Sequence, residues 1–313
     1  MMKKTILILL SILLSTTTFA NEDLNKSLLK AVANGDFVSA QKLVRNGANI
    51  NAKGVLGHTP LIYAAEDGQI SIARMLVNNG ARINDQTNDG YTALSAAADE
   101  GNIALVSILL RSGADPHIKT RNGMDALMIA IRSGDADVIS ILMAYNSNIN
   151  TADRHGRTAL MIATQQGHID TVNMLLLASA GMDIRNKNGE TALMIAAKKS
   201  NQEILSALLN RGASTSVVDD HGATALHYAV SNKGVDTALM ILDNNGDINA
   251  ADNDGWTPLM EAVSRGNMDL VKAMIKRGAS IDVRDNEGID LISISEKNHH
   301  NKITEYLHKI IKK

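Results

Sequence analysis

Cysteine is absent from this chain of 313 residues. Its absence excludes disulfide bonds, thiolate metal sites, a cysteine nucleophile and lipidation of an N-terminal cysteine. Aromatic residues are scarce, at 3% of the sequence against 45% for hydrophobic residues as a whole. Alanine, leucine, isoleucine and methionine must therefore supply the core, which suits thin layers of closely packed helices.

Net charge is also small, and sequence motifs for catalysis are missing. A formal charge of −2 gives no bulk attraction to nucleic acid or to an anionic membrane. No glycine loop of the phosphate-binding type is present, and no serine or threonine stands in a nucleophile-elbow context. We predict no catalytic residues, no cofactor and no nucleic-acid partner, and an enzymatic function has no supporting motif.

The first twenty residues have the pattern of an export signal. Two lysines follow the initial methionines, and the apolar run over Ile6–Leu14 is shorter than the roughly 20 residues that cross a bilayer. We predict cleavage between Ala20 and Asn21, and no membrane insertion of the mature chain. An uncleaved membrane anchor is the alternative. The paired lysines are typical of bacterial signals, so we expect a periplasmic or secreted protein.

One motif recurs through the rest of the chain with a fixed step of 33 residues. It starts at Gly57-His58-Thr59-Pro60-Leu61, and its glycine recurs at Gly90, Gly123, Gly156, Gly189, Gly222, Gly255 and Gly288. A fixed period of this length is the signature of stacked repeats, in which each unit needs its neighbours to bury its apolar face. We interpret the array as one repeat domain.

Each repeat carries the signals of a helix start. A threonine or aspartate stands two residues after each repeat glycine and can cap a helix, and Pro60 and Pro258 follow at the first helical position. A leucine comes next and should fill one layer of the core, as at Leu61, Leu94, Leu127, Leu160, Leu193, Leu226 and Leu259. A second helix is indicated by apolar residues at helical spacing.

A 33-residue unit of this kind resembles the ankyrin repeat. The best matches to its opening are Gly255-Trp256-Thr257-Pro258-Leu259 and Thr224-Ala225-Leu226-His227-Tyr228-Ala229. The resemblance implies an all-α ankyrin-repeat solenoid of paired antiparallel helices with projecting β-hairpin loops. It would hold about nine repeats, including degenerate terminal caps. The predicted divisions are a signal peptide at 1–20, an N-terminal capping repeat at 21–53, seven repeats at 54–285 and a C-terminal capping repeat at 286–313.

The resemblance also implies a protein partner, which ankyrin proteins usually bind with a concave face of hairpin tips and first helices. Carried over by position, the candidates on this face are mainly acidic in the first full repeats, basic in the middle and mixed later. We predict as partner-binding residues Tyr91, Arg121, Met124, Arg132, Arg154, Arg157, Lys198, Lys199 and Trp256. Chance clustering on a solvated surface is the alternative.

Histidine and methionine suggest no further site. His155 and His221 share one repeat position but lie two repeats apart, roughly 20 Å by helix-layer spacing, whereas zinc holds its ligands at about 2 Å. No metal site is predicted.

The functional hypothesis is a monomeric, non-catalytic scaffold that binds another protein. The alternative is an inhibitor or immunity protein that neutralises a toxin or enzyme in the same compartment.

Overall fold

The computed structural model describes residues 22–145, 148–232 and 234–311. The predicted signal peptide and its cleavage position at Ala20 and Asn21 lie outside these residues. Within them the regular structure is helical, and the predicted all-α repeat solenoid is confirmed. The loops predicted as β-hairpins are tight turns, and the only bridges among the described residues are Ala152–Thr158 and Arg284–Asp290.

The chain divides into two compact units, Met1–Asn148 and Ile149–Lys313, called here the N-terminal and C-terminal units. The described helices of the N-terminal unit are α1 (22–33), α2 (Phe37–Arg45), α3 (Pro60–Glu66), α4 (Ile70–Asn78), α5 (Ala93–Asp99), α6 (Ile103–Arg111), α7 (Ala126–Ser133) and α8 (Ala136–Tyr145). The first helices α3, α5 and α7 pack in succession, and so do the second helices α2, α4, α6 and α8.

The C-terminal unit repeats the same arrangement. Its described helices are α9 (Ala159–Gln166), α10 (Ile169–Leu177), α11 (Ala192–Lys198), α12 (Gln202–Asn210), α13 (Ala225–Ser231), α14 (Val235–Asp243), α15 (Pro258–Ser264), α16 (Met268–Lys276), α17 (Leu291–Lys297) and α18 (Asn301–Ile311). The first helices α9, α11, α13, α15 and α17 pack in succession. Each packs against the second helix of its own repeat as well.

The first helices begin where the capping pattern predicts. The Thr59 hydroxyl accepts the Ile62 N–H at the start of α3, and the Asp125 carboxylate accepts the Met128 N–H at the start of α7. Each bond satisfies one of the amide groups that a helix start leaves without a partner. Pro60 and Pro258 stand at the first helical positions, where a missing N–H costs nothing.

The core lies between the two helices of each repeat and between successive repeats. The seven leucines of the predicted core layer are at most 2% exposed. A hydrophobic side chain buried to this degree contributes roughly 1.5–3 kcal/mol to stability. Because these seven repeats place their leucine at the same point, each repeat is held by burial that neighbouring repeats share.

Candidate partner-binding surface

The loop tip before α9 is fixed by a polar side chain at its start. Before α9, the buried Asp153 accepts the backbone N–H groups of His155 and Arg157 on Oδ1, both at 2.8 Å. Its Oδ2 pairs with the guanidinium group of Arg157 at 2.8 Å. An aspartate that bonds to the backbone two and four residues ahead closes a tight turn, so side chains at the tip project from fixed positions.

Successive tips in the C-terminal unit are joined by backbone hydrogen bonds. The Lys187 N–H donates to the His155 carbonyl at 2.9 Å, and the Asp220 N–H donates to the Asn188 carbonyl at 3.1 Å. At Gly156, where φ is 75°, an added Cβ would lie 2.8 Å from the Lys187 nitrogen. Glycine is required there both for its positive φ and for this close approach. The tips therefore form a row with set spacing.

In the N-terminal unit, the predicted basic residues are already paired. The Arg132 guanidinium group contacts the Asp99 carboxylate at 2.9 Å and donates to the Tyr91 hydroxyl at 3.4 Å. Arg121 lies 3.5 Å from Asp89, and both side chains are mostly exposed. The structure thus brings Tyr91 and Arg132 together on one patch, where an acid of the preceding first helix offsets the positive charge.

Met124 does not belong to this surface. Its side chain is only 5% exposed, so its prediction as an exposed partner contact is wrong. The tip around it is closed by hydrogen bonds between Met124 and Thr120, and the apolar thioether side chain is stabilised by leaving water. The corresponding position of the preceding repeat, Tyr91, is half-buried, because its hydroxyl keeps a polar contact with Arg132.

A groove of about 400 Å³ lies in the C-terminal unit between the repeats of α9 and α11. We call it the basic groove; it is lined by His155, Arg157, Gln165, Asn186, Lys187, Asn188, Glu190, Ile195, Lys198 and Lys199. Three of the predicted partner-binding residues, Arg157, Lys198 and Lys199, therefore share one site. Arg154 stands next to His155 on the tip and is outside the lining.

The cations in and beside the basic groove differ in whether they have an internal partner. Arg157 pairs with the buried Asp153, and the Lys198 ammonium lies 3.0 Å from Glu190. Arg154, Lys187 and Lys199 are exposed and form no ion pair with any residue that the structure describes. These three are named here the open cations. Their charge is available to a partner, whereas the charges of Arg157 and Lys198 are partly neutralised.

Glu190 connects the basic groove to the next repeat. Its carboxylate accepts from the Asn186 amide at 2.9 Å and from Lys198 at 3.0 Å, and the Tyr228 hydroxyl lies 3.4 Å away. Burial alone would raise the pKa of Glu190, but the hydrogen bonds from Asn186 and Lys198 outweigh burial and hold it below its ordinary value. The carboxylate is thus ionised at neutral pH and holds Lys198 in place.

Trp256 is half-buried and takes part in a structural network. Its indole N–H donates to Glu261 at 3.0 Å, and Glu261 also accepts from Ser231 and Arg265, each at 2.8 Å. The ring borders a separate pocket of about 240 Å³ together with Tyr228. Trp256 therefore lies outside the basic groove, two repeats further along the row of tips.

Sequence reasoning missed Tyr228 as a surface residue. At the same repeat position stand Ile129, Ile162 and Ile195, and this pattern favours an apolar core residue. In the structure its hydroxyl donates to the buried Asp219 at 2.7 Å, and burial raises the pKa of the phenol, reinforced by that bond. A hydroxyl group at a position that several other repeats fill with isoleucine is the signal that would have found it.

His227 is buried with both ring nitrogens engaged. Its Nδ1 accepts the Thr224 backbone N–H at 3.0 Å, so Nε2 carries the proton that reaches the Trp256 carbonyl at 3.1 Å. Burial lowers the pKa of His227 below its ordinary value. The neutral ring fits its site, because a proton on Nδ1 would face the Thr224 N–H.

We expect His227 to make folding pH-dependent. Because its folded pKa is lowered, the unfolded chain binds the proton more readily near pH 6.5, so stability is lost as pH falls through and below that value. His227→Met copies the residue at the same position in four other repeats, Met128, Met161, Met194 and Met260. The variant should lose less stability than wild type between pH 7.5 and pH 5.5, as measured by urea unfolding at both values. Equal losses in the two proteins would contradict this role.

The described part of the chain contains no group of three or more histidine, aspartate or glutamate residues placed to hold a metal ion. None of its described helices has the length and hydrophobicity needed to cross a bilayer.

Comparison with protein families agrees with the repeat geometry. The family described as "Ankyrin repeats (3 copies)" matches residues 28–120, 96–187 and 173–252, and the family described as "Ankyrin repeat" matches residues 254–286. No curated protein sequence gave a significant match to the chain. Ankyrin repeats are generally protein–protein interaction modules and generally non-catalytic. These matches cover well over half of the sequence, and the chain belongs to the ankyrin-repeat family.

Proposed function

We propose that this chain is a non-catalytic scaffold of the bacterial periplasm that binds the acidic surface of a partner protein through the basic groove and its open cations. It acts as a monomer, and its N-terminal signal peptide is removed during export. The family supports protein binding in general. The acidic character of the partner and the compartment are our inferences from the surface and from the sequence of residues 1–20.

The observation that carries the proposal is the set of three open cations on adjacent repeats. Arg154 and Lys187 stand on neighbouring tips that a hydrogen bond joins through His155, and Lys199 caps the end of α11. Because tips and helix ends are fixed by the fold, the three charges keep their spacing without an internal counterion. Like charges that are held close together without counterions repel one another and lower the stability of the fold. A partner surface of opposite charge relieves this repulsion and is attracted to the group.

Capture with matched variants tests the proposal. The wild-type chain and the triple variant Arg154→Glu/Lys187→Glu/Lys199→Glu should be immobilised separately and exposed to the soluble periplasmic fraction of the source cells. We expect a partner that wild type retains and the triple variant loses by tenfold or more, as judged by quantitative mass spectrometry. If that partner is an enzyme or toxin whose activity the chain suppresses, the scaffold proposal gives way to the inhibitor alternative.

The control keeps the change in net charge and moves it to the second helices. Arg74, Lys276 and Lys302 are exposed there and form no ion pair with a described residue. The variant Arg74→Glu/Lys276→Glu/Lys302→Glu should capture the partner as wild type does. Loss of capture in both triple variants would mean that net charge, rather than the basic groove, governs binding, and would overturn the proposal.

Export is tested separately. Because the apolar run at Ile6–Leu14 is short and Ala20 precedes a polar segment, the signal should be cleaved. N-terminal sequencing of the protein from the cell envelope should begin at Asn21. Recovery of the chain with its first twenty residues intact in the membrane pellet would support the uncleaved anchor and contradict the predicted cleavage.

A further inference from the structure

A pocket lies between the repeats of α13 and α15, at the place that the basic groove occupies between the repeats of α9 and α11. The cavity of about 240 Å³ is bordered by Tyr228 and Trp256, with the buried His227 beside them. At the repeat position that holds Arg157, Glu190 and Trp256 in other repeats, this repeat has Ala223, which also lines the cavity. The pocket therefore has a small side chain where the neighbouring repeats have a large one.

The repeat of α9 shows which partner the equivalent aspartate has. There the buried Asp153 pairs with Arg157, four residues further on, at 2.8 Å. In the repeat of α13 the same two positions hold Asp219 and Ala223. Asp219 is only 4% exposed, its carboxylate accepts three hydrogen bonds, and it forms no ion pair with a described residue. A carboxylate can accept about four hydrogen bonds, so Asp219 retains capacity for one more donor.

The opposite side of the pocket adds negative charge. Asp252 accepts the backbone N–H groups of Asp254 and Trp256 on Oδ1, and its Oδ2 has no hydrogen-bond partner among the described residues. Glu261, by contrast, is neutralised by Arg265 at 2.8 Å. Two carboxylates without a cation thus line a cavity that the rings of Tyr228 and Trp256 also border. The Lys198 ammonium already lies over one face of the Tyr228 ring, 5.3 Å from its centroid.

We propose that this pocket binds the guanidinium group of an arginine side chain, supplied by a partner protein. The planar, weakly hydrated guanidinium ion stacks on aromatic rings and pairs with carboxylates, and Tyr228, Trp256, Asp219 and Asp252 provide both kinds of contact. Its position two tips beyond Arg157 would let one partner place an arginine here and an acidic segment in the basic groove. In that respect the inference rests on the proposed function, although the pocket can be tested by itself.

The test uses the only tryptophan of the chain as the reporter. Trp256 lines the pocket and no other tryptophan is present. We expect Nα-acetyl-arginine methylamide to change the tryptophan emission of the full chain saturably, with a Kd in the millimolar range for so small a ligand. The uncharged isostere Nα-acetyl-citrulline methylamide should bind about tenfold more weakly, because it lacks the cation–π and ionic contributions.

Two variants separate the pocket from the rest of the surface. Ala223→Arg places in this repeat the side chain that Arg157 supplies to Asp153, so it should pair with Asp219 and abolish the response to the arginine compound. Asp252→Asn retains an oxygen for the N–H groups of Asp254 and Trp256 and removes only the charge, so it should weaken binding several-fold with little effect on folding. Circular dichroism of both variants checks the fold.

The outcomes are distinct. No saturable response of wild type, equal responses to the arginine and citrulline compounds, or undiminished binding by a folded Ala223→Arg variant would each overturn the arginine pocket. If Ala223→Arg does not fold, the Asp252→Asn variant decides: binding of the arginine compound as tight as in wild type would overturn the pocket. The open-cation triple variant should bind the arginine compound as wild type does. If the arginine compound does not bind but the open cations are still needed to capture the partner, the arginine pocket is overturned and the proposed function is not.

Discussion

Leu160→Ala is expected to lower the free energy of unfolding by about 2–5 kcal/mol. Leu160 lies in α9 with no exposed surface, and α9 packs on both α10 and α11. Truncation removes buried methyl groups and leaves a cavity that fixed neighbouring helices cannot fill. Urea unfolding of the full chain, followed by circular dichroism, measures the change.

The matched control is a leucine of the same unit that faces water. Leu177, the last residue of α10, is 70% exposed, so Leu177→Ala should change stability by no more than about 0.5 kcal/mol. Similar losses in the two variants would show that the leucine layer is not the main source of stability in this unit.

Reversal of the three open cations is expected to have the second large effect, on binding rate. For the captured partner, Arg154→Glu/Lys187→Glu/Lys199→Glu should lower the association rate constant about 10- to 100-fold. Exposed charges act mainly by steering the encounter, so the dissociation rate constant should rise by a much smaller factor. Surface plasmon resonance separates the two constants. A change confined to dissociation would mean that these cations make close contacts instead of steering.

Arg157 and Lys198 are poor choices for the same experiment, although the sequence suggests them equally. Arg157→Glu would set a second carboxylate against the buried Asp153, which organises the tip. Lys198→Glu would replace the ammonium that lies 3.0 Å from Glu190 by a second carboxylate. Like charges at such distances are destabilising, so loss of binding in these variants would be confounded by local unfolding.

The fold could be predicted from the sequence because the same helix-capping and core residues recur in successive repeats. Thr59, Asp125 and Pro60 occupy cap and first-helix positions that follow from the unpaired amides of a helix start, and all three stand there in the structure. Leu160 is buried because its repeat position places it on the core-facing side of α9. These are short-range constraints, which a fixed 33-residue register repeats through the chain.

The surface could be predicted only in part, because its chemistry depends on contacts between repeats. The Arg132–Asp99 pair joins residues 33 positions apart, and position alone does not say whether such charges meet. The repeat register also predicts Met124 at the surface, but its hydrophobic side chain is buried in the structure. The proposed arginine pocket combines the carboxylates of Asp219 and Asp252 with rings from two repeats, a combination that no local pattern displays.

The salt dependence of association tests the central claim, which is that the open cations draw an acidic partner to the basic groove. Raising salt shortens the Debye length from about 10 Å at 0.1 M to about 3 Å at 1 M. We predict that the wild-type association rate constant falls about tenfold or more over this range and approaches that of the triple variant, whose own rate changes little or rises. A wild-type rate that stays constant from low to high salt would contradict the account.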